Sequence, residues 1–317
     1  MTTHEGDMLV AAPERWDEVC FAVPAVRALM ASGMQVGVIC CTGQREFWET
    51  LPGLAVIECP RKVRDLVPVI SGKWQAALLW QAGFAADAAR LAGLPQRLGP
   101  AVANLAKQLT HPLGFAEKPL DHRVRFYLSA VEEMGIATTQ AELFAPADIG
   151  IEPVPGAVLL SPESDFGASH EWFLDRWLEI GRKLLDAGQR VTVAGMEQRR
   201  NSLAEALAHE LGGGVGFFHA DPLAGALQLL AVHGLVVAAD GSLPHLAAHV
   251  GATCVTLFGP NDPLWKRPLG KRHAVVKRHV ECAPCLLPKC PLDMRCQHEL
   301  ESARVWAAVS SKLNPAI

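Results

Sequence analysis

Short apolar runs of strand length recur along this chain, each followed by a segment long enough for a helix. That alternation is the pattern of βαβ units laid into a parallel sheet. It is cleanest in the second half, with predicted strands at 157–161, 190–195, 216–219, 235–239 and 254–258. Predicted helices at 172–187, 199–211, 222–233 and 243–250 separate them, and a last helix at 300–313 closes the chain. The first half reads similarly: strands at 8–12, 35–41, 55–59 and 76–80, helices at 18–32, 84–92 and 122–134. Within 18–32, Val19, Ala22, Val23, Val26, Leu29 and Met30 fall at helical spacing. Residues 94–120 are punctuated by Pro and Gly and yield no clear assignment. Pro146, Gly150, Pro153 and Pro155 give 138–155 the composition of a linker, so domains are expected at 1–150 and 151–317, the second doubly wound.

Composition narrows the function. A chain of 317 residues suits two domains, and one that is half apolar and one fifth charged is an ordinary globular protein. Its 29 basic against 33 acidic side chains supply no global field for a polyanion, so nucleic acid is not an expected partner and any anion must be held locally. The first apolar run, 8–13, is too short and too acidic in its flanks for a signal peptide, and no run approaches the length of a membrane span. A cytoplasmic protein is expected, at most peripheral to the inner membrane face. Cys20, Cys40, Cys41, Cys59 and Cys254 fit buried reduced thiols in that compartment.

No dinucleotide fingerprint, P-loop, zincin or nucleophile-elbow motif occurs. The glycine cluster at 212–216 sits between a predicted helix and strand, where it reads as a cap and turn. The informative segment begins at Leu235: a strand, the turn Asp240-Gly241-Ser242, a helix with His245 in its first turn, a second strand, then Phe258-Gly259-Pro260-Asn261-Asp262-Pro263. A turn that gathers backbone N–H groups at a helix start is suited to an anion such as a diphosphate.

This segment resembles glycosyltransferase family 9, the ADP-heptose:lipopolysaccharide heptosyltransferases, in its Asp-turn, His245-Leu246-Ala247-Ala248, Gly251 and the Phe-Gly-Pro-x-Asp-Pro run. Weaker likenesses extend it: Pro24 to Leu29, Arg90 to Gly99, His122 before a helix, Trp172, and the four-cysteine tail. The resemblance implies an α/β, GT-B architecture of two facing Rossmann-like domains with parallel sheets, the C-terminal one holding a nucleotide-sugar donor and the N-terminal one the acceptor. It implies inverting transfer in the cleft, most simply of heptose from ADP-heptose, with no metal or other cofactor required for catalysis.

Carried over by position, the resemblance places Asp240, Gly241, Ser242 and His245 at the donor, with Gly and Ser in reversed order. Asp240 and Ser242 are also ordinary helix-capping types. The family's catalytic carboxylate falls at Glu18, with Asp17 in place of its glycine; either carboxylate could act as general base, or simply cap the first helix. His170 stands where the family has a lysine near the donor phosphates, and Glu197 matches an acidic position suited to ribose or sugar hydroxyls. A histidine neutralises phosphate only in part at neutral pH.

Cys282, Cys285, Cys290 and Cys296 lie within fifteen residues, with Pro284, Pro288 and Pro291 between them. The spacing allows a structural zinc or iron site, and equally reduced or disulfide-bonded packing that holds a loop near the donor. Between Arg90 and Arg125, six basic residues (Arg90, Arg97, Lys107, Lys118, Arg123, Arg125) face Glu117 and Asp121, which would suit an anionic glycolipid acceptor or merely a solvated face. Lys266, Arg267, Lys271 and Arg272 form a second basic group. The expected function is an inverting glycosyltransferase acting on a lipopolysaccharide core or other lipid-linked glycan. The rival is a non-catalytic nucleotide-sugar or glycan-binding paralogue that lost the base and the lysine; an epimerase on the same architecture ranks third.

Overall fold

Six strands from the first half of the chain hydrogen-bond side by side, every pair parallel: β1 (Met8–Ala11), β2 (Val36–Cys40), β3 (Ala55–Glu58), β4 (Ala76–Leu78), β5 (Gln96–Pro100) and β6 (His111–Leu113). The computed structural model describes residues 7–115, 118, 121–196, 202–220 and 223–313. Six further strands form a second parallel sheet: β7 (Ala157–Ser161), β8 (Arg190–Gly195), β9 (Gly216–His219), β10 (Leu235–Ala239), β11 (Thr253–Phe258) and β12 (Ala274–Lys277). The chain divides into two units, Met1–Ala145 and Pro146–Ile317, one sheet in each.

Both sheets are doubly wound. The first has strand order β3-β2-β1-β4-β5-β6 and the second β12-β11-β10-β7-β8-β9, so the winding reverses between β1 and β4 and between β7 and β10. At such a reversal the connections leave in opposite directions and open a crevice at the carboxyl ends of the strands, where ligands of open α/β sheets bind. Central strands with both faces covered must be apolar throughout, and all residues of β1, β2 and β10 are buried.

The first unit carries α1 (Trp16–Ala31), α2 (Arg45–Glu49), α3 (Val63–Ile70), α4 (Phe84–Leu91) and α5 (Val124–Glu133). The second carries α6 (Leu174–Asp186), α7 (Leu203–Leu211), α8 (Leu227–Ala231), α9 (Leu243–His249), α10 (Pro263–Lys266), α11 (Arg295–His298) and α12 (Ser302–Leu313). Helix α1 begins two residues earlier than its apolar periodicity indicates, which brings both Asp17 and Glu18 into its first turn. In the second unit Val158, Leu160, Trp172, Trp177, Val237, Val255 and Val305 pack one core, and the Trp172 indole N–H donates to the carbonyls of Gln297 and Leu300 at 3.2 Å, fastening the chain's last segment to it. Among the described residues no helix is long and apolar enough to cross a membrane.

Three strands were not legible. β5 reads Gln-Arg-Leu-Gly-Pro and the edge strand β6 His-Pro-Leu; Pro112 is tolerated because β6 pairs on one side only, and Gly99 and Pro100 because they lie past the last residue of β5 paired with β4. β12 lies at the other sheet's edge and is half exposed.

Candidate functional site

In the first unit the reversal between β1 and β4 opens into a cavity of about 710 Å³, within the usual range for small-molecule sites of about 300–1,000 Å³. Its wall comprises the segments leaving β1 (Pro13, Glu14, Arg15), β4 (Trp80, Gln81), β5 (Pro100, Ala101, Val102) and β6 (Gly114, Phe115), together with Glu18 of α1 and Arg123, Phe126 and Tyr127 at α5. Glu18 lines it in a fixed position. Arg123 donates from Nε to Oε1 at 3.0 Å and from Nη2 to Oε2 at 2.9 Å, and the Tyr127 hydroxyl donates to Oε2 at 2.7 Å. Burial, followed by the Glu18 charge, holds the Tyr127 hydroxyl well above the usual phenol range, so it stays a donor.

Asp17 is placed differently. Its side chain is 0% exposed and paired with Arg15, Nε to Oδ1 at 3.1 Å, and it is absent from the cavity wall. The two carboxylates that sequence leaves equivalent are thus separated by the helix itself, since adjacent residues project about 100° apart.

In the second unit the loops leaving β7, β10 and β11 converge at the reversal between β7 and β10. Asp240, directly after β10, is fully buried. Its Oδ2 meets His170 Nδ1 at 3.0 Å and accepts from Asn261 Nδ2 at 2.6 Å, while its carbonyl accepts from the Ser164 hydroxyl at 2.6 Å. Burial raises the Asp240 carboxyl above its ordinary value, opposed by His170, Asn261 and Lys266. Lys266 is itself buried, its ammonium 5.4 Å from the Phe166 ring centroid and 5.0 Å from that of Trp265. His245 lies in the first turn of α9 with its ring buried. Glu197 falls outside the described residues.

Asp165 meets this turn: its Oδ1 accepts from the Ser242 amide at 2.7 Å and its Oδ2 from the Ser242 hydroxyl at 2.6 Å, so this amide does not stand open. The reversed Gly-Ser order puts the hydroxyl at position 242, where Asp165 accepts from it. A Cβ at position 241 would lie 2.8 Å from Asp165 Oδ1 and 3.1 Å from Ser164 Oγ, so a larger residue there would have to displace the Asp165 carboxylate. His170 likewise faces Asp240, and its ring is 3% exposed.

Of the alternatives open for the cysteine cluster, the structure has reduced packing. Among the described residues no group of three or more His, Cys, Asp or Glu side chains is placed to hold a metal ion, so a zinc or iron centre at Cys282, Cys285, Cys290 and Cys296 is not formed. All four thiols are free and stand at different depths, Cys282 exposed and Cys296 buried. Burial, with the nearby Cys282, Cys285 and Cys290, pushes the Cys296 thiol up to about 11. The loop braces the site: the Pro288 and Leu287 carbonyls accept from the Ser169 amide and hydroxyl, and Leu286 N–H donates to the Pro260 carbonyl at 3.1 Å.

Of the six basic residues between Arg90 and Arg125, three are engaged internally. Arg97 donates to the carbonyls of Gln108 and Leu94, Arg123 to Glu18 and Arg125 to Glu132. Sequence reasoning also missed Asp165, Asn261, Trp80 and Tyr127 as site residues. Their only common signal is position, one to five residues beyond a strand's carboxyl end, except for Tyr127 on α5.

Two doubly wound units, each with a parallel six-stranded sheet and polar side chains gathered at its winding reversal, are the architecture of the GT-B kind. The model of glycosyltransferase family 9 (heptosyltransferase) matches residues 101–295, more than half of the chain, and the chain belongs to that family. It is similar to lipopolysaccharide heptosyltransferase 1 of Pseudomonas aeruginosa, 25% identical over 189 residues, which are 57% of this chain and 50% of that protein. The chain thus matches about half the length of that curated relative. Its fold is shared with E. coli ADP-heptose LPS heptosyltransferase II (TM-score 0.79, 18% identity, 97% of this chain and 98% of that one). It is shared too with E. coli heptosyltransferase WaaC, solved with ADP-2-deoxy-2-fluoro heptose (TM-score 0.72, 17% identity, 96% and 99%).

Proposed function

We propose that this protein is an inverting glycosyltransferase that moves a sugar, heptose from ADP-heptose in the simplest case, onto a hydroxyl of a lipopolysaccharide core or other lipid-linked glycan. The observation that carries the reading is Glu18: a carboxylate clamped by Arg123 and Tyr127 on the wall of a cavity at the first sheet's winding reversal. The first unit holds the acceptor and the second the donor. The acceptor oxygen attacks the anomeric carbon as the bond to the diphosphate breaks. Glu18 takes the hydroxyl proton and the nucleoside diphosphate leaves with the bonding pair.

Asp240, His170, Ser242 and His245 frame the donor end, with Lys266 supplying positive charge beside Asp240. An incoming diphosphate displaces the Asp165 carboxylate from Ser242, replacing one anion by another on the same two donors. Family membership and the fold shared with WaaC, which was solved with an ADP-heptose analogue, support the donor class.

Incubating the protein with ADP-heptose and a truncated core glycolipid tests this. Stoichiometric ADP release and a heptosylated product are expected. Donor binding without turnover on any glycan would contradict transfer and favour a binding paralogue, a reading to which the Asp165–Ser242 contact lends some weight.

A further inference from the structure

Of the five scattered thiols expected to be buried, Cys41 and Cys59 are only half-buried, and both are free. Each stands one residue past a paired strand end. β2 and β3 run parallel with Ile39 opposite Ile57 and Cys40 opposite Glu58, so the register brings Cys41 opposite Cys59. The Cys59 amide donates to the Cys40 carbonyl at 2.8 Å, which keeps the two exits together. Side chains alternate along a strand. Ile39 and Ile57 belong to one apolar cluster against which Cys59 also packs, so the register puts both thiols on that face, while the buried Cys40 alternates to the other. Cα atoms of adjacent strands lie about 4.8 Å apart, inside the range of about 4.4–6.8 Å that a disulfide spans.

The electrostatics agree with this placement. Burial, followed by Cys41 and then Glu14, pushes the Cys59 thiol up to about 11. Burial, and Glu14 after it, also raises Cys41. Glu14 belongs to the wall of the first unit's cavity, and Gln44 joins that wall to the pair. Gln44 Nε2 donates to the Glu14 and Pro13 carbonyls at 3.0 and 3.1 Å, and its Oε1 accepts from the Cys41 amide at 3.4 Å.

We propose that Cys41 and Cys59 form a dithiol site that closes to a disulfide by exchange with a small-molecule disulfide of the glutathione class. One thiolate attacks the oxidant and releases a first glutathione; the other then displaces the second glutathione from the mixed disulfide. Two protein thiols are oxidised, one oxidant disulfide is reduced to two thiols, and the two protons lost by the protein pass to them. The bond ties Cys41, and through Gln44 the segment Pro13–Glu14, to the exit of β3.

Oxidised glutathione added to the folded full chain at about pH 9, where more thiolate is present, tests this, with remaining thiols blocked by N-ethylmaleimide before digestion and mass spectrometry. Trypsin cuts after Arg27, Arg45 and Arg61, so peptides 28–45 and 46–61 are expected to be recovered joined, apart from the four cysteines of 282–296. Cys41→Ser and Cys59→Ser should each reduce the joined species at least about tenfold and leave glutathione on the remaining partner, whereas Cys40→Ala should retain the linkage. A wild type that yields no joined peptide, or a linkage that persists in Cys41→Ser, would overturn the proposal. Neither donor nor acceptor takes part, so the outcome is independent of the transfer reaction.

Discussion

Two adjacent carboxylates at the start of α1 receive different surroundings from one helical step. Glu18 faces the cavity in a guanidinium–phenol clamp, whereas Asp17 is buried beside Arg15. Removing a positioned base costs about 10²–10⁴ in turnover, so Glu18→Gln should lower kcat by that factor and Asp17→Asn by less than about tenfold. Equal losses in steady-state kinetics would erase the distinction. Asp165 gives a second residue-level test. Asp165→Asn keeps an oxygen for the Ser242 amide but removes the charge that opposes a diphosphate, and a change of about 1 kcal/mol corresponds to about fivefold tighter ADP binding by calorimetry. Unchanged or weaker binding would place the diphosphate elsewhere. The motif around Asp240 was legible because residue types at fixed offsets survive in the sequence. Asp165 was not, since the contact joins loops 77 residues apart.

At the scale of elements, the strands read from sequence are the apolar runs of four or more residues, whereas β5 and β6 carry Gly or Pro among few apolar residues and β12, at an edge, is short and half exposed. β12 is fixed by a device that titrates. His273, just before it, accepts from the Cys254 amide of β11 at 3.1 Å through Nδ1, and its Nε2–H donates to the Leu269 carbonyl at 2.8 Å. Burial, aided by Arg272 and Lys312, brings its pKa down to about 4. The unfolded chain takes up this proton near pH 6.5 and the folded chain does so only near 4. Stability from His273 is therefore complete above 6.5 and is lost as pH falls through that window, by at most about 3 kcal/mol. Denaturant melts should show this slope in the wild type and a flatter one in His273→Gln; parallel slopes would show that the imidazole is not held neutral. The short α10 and α11 escaped sequence reading for another reason. Each is a single turn, too short to show a period, and is fixed by a contact: Asp262 caps α10 through the Leu264 amide, and the Gln297 side chain of α11 donates to the Ser169 carbonyl.

For the whole molecule, the same solution is used twice: a parallel sheet whose winding reverses beside its first strand, with functional side chains on the segments that leave the strands there. The alternation of strand and helix predicted this architecture in both halves, and it could not reveal which side chains each reversal would gather. The reading assigns the proton acceptor to one unit and the donor to the other, so binding and turnover should respond to different substitutions. Titrating ADP into the full chain and its variants, with turnover measured in parallel, tests this directly. Ser242→Ala and Asp240→Asn should each weaken ADP at least about tenfold, while Glu18→Gln should bind ADP within about twofold of the wild type and yet lose turnover. ADP affinity that falls with Glu18→Gln, or that survives both changes beside β10, would contradict the account.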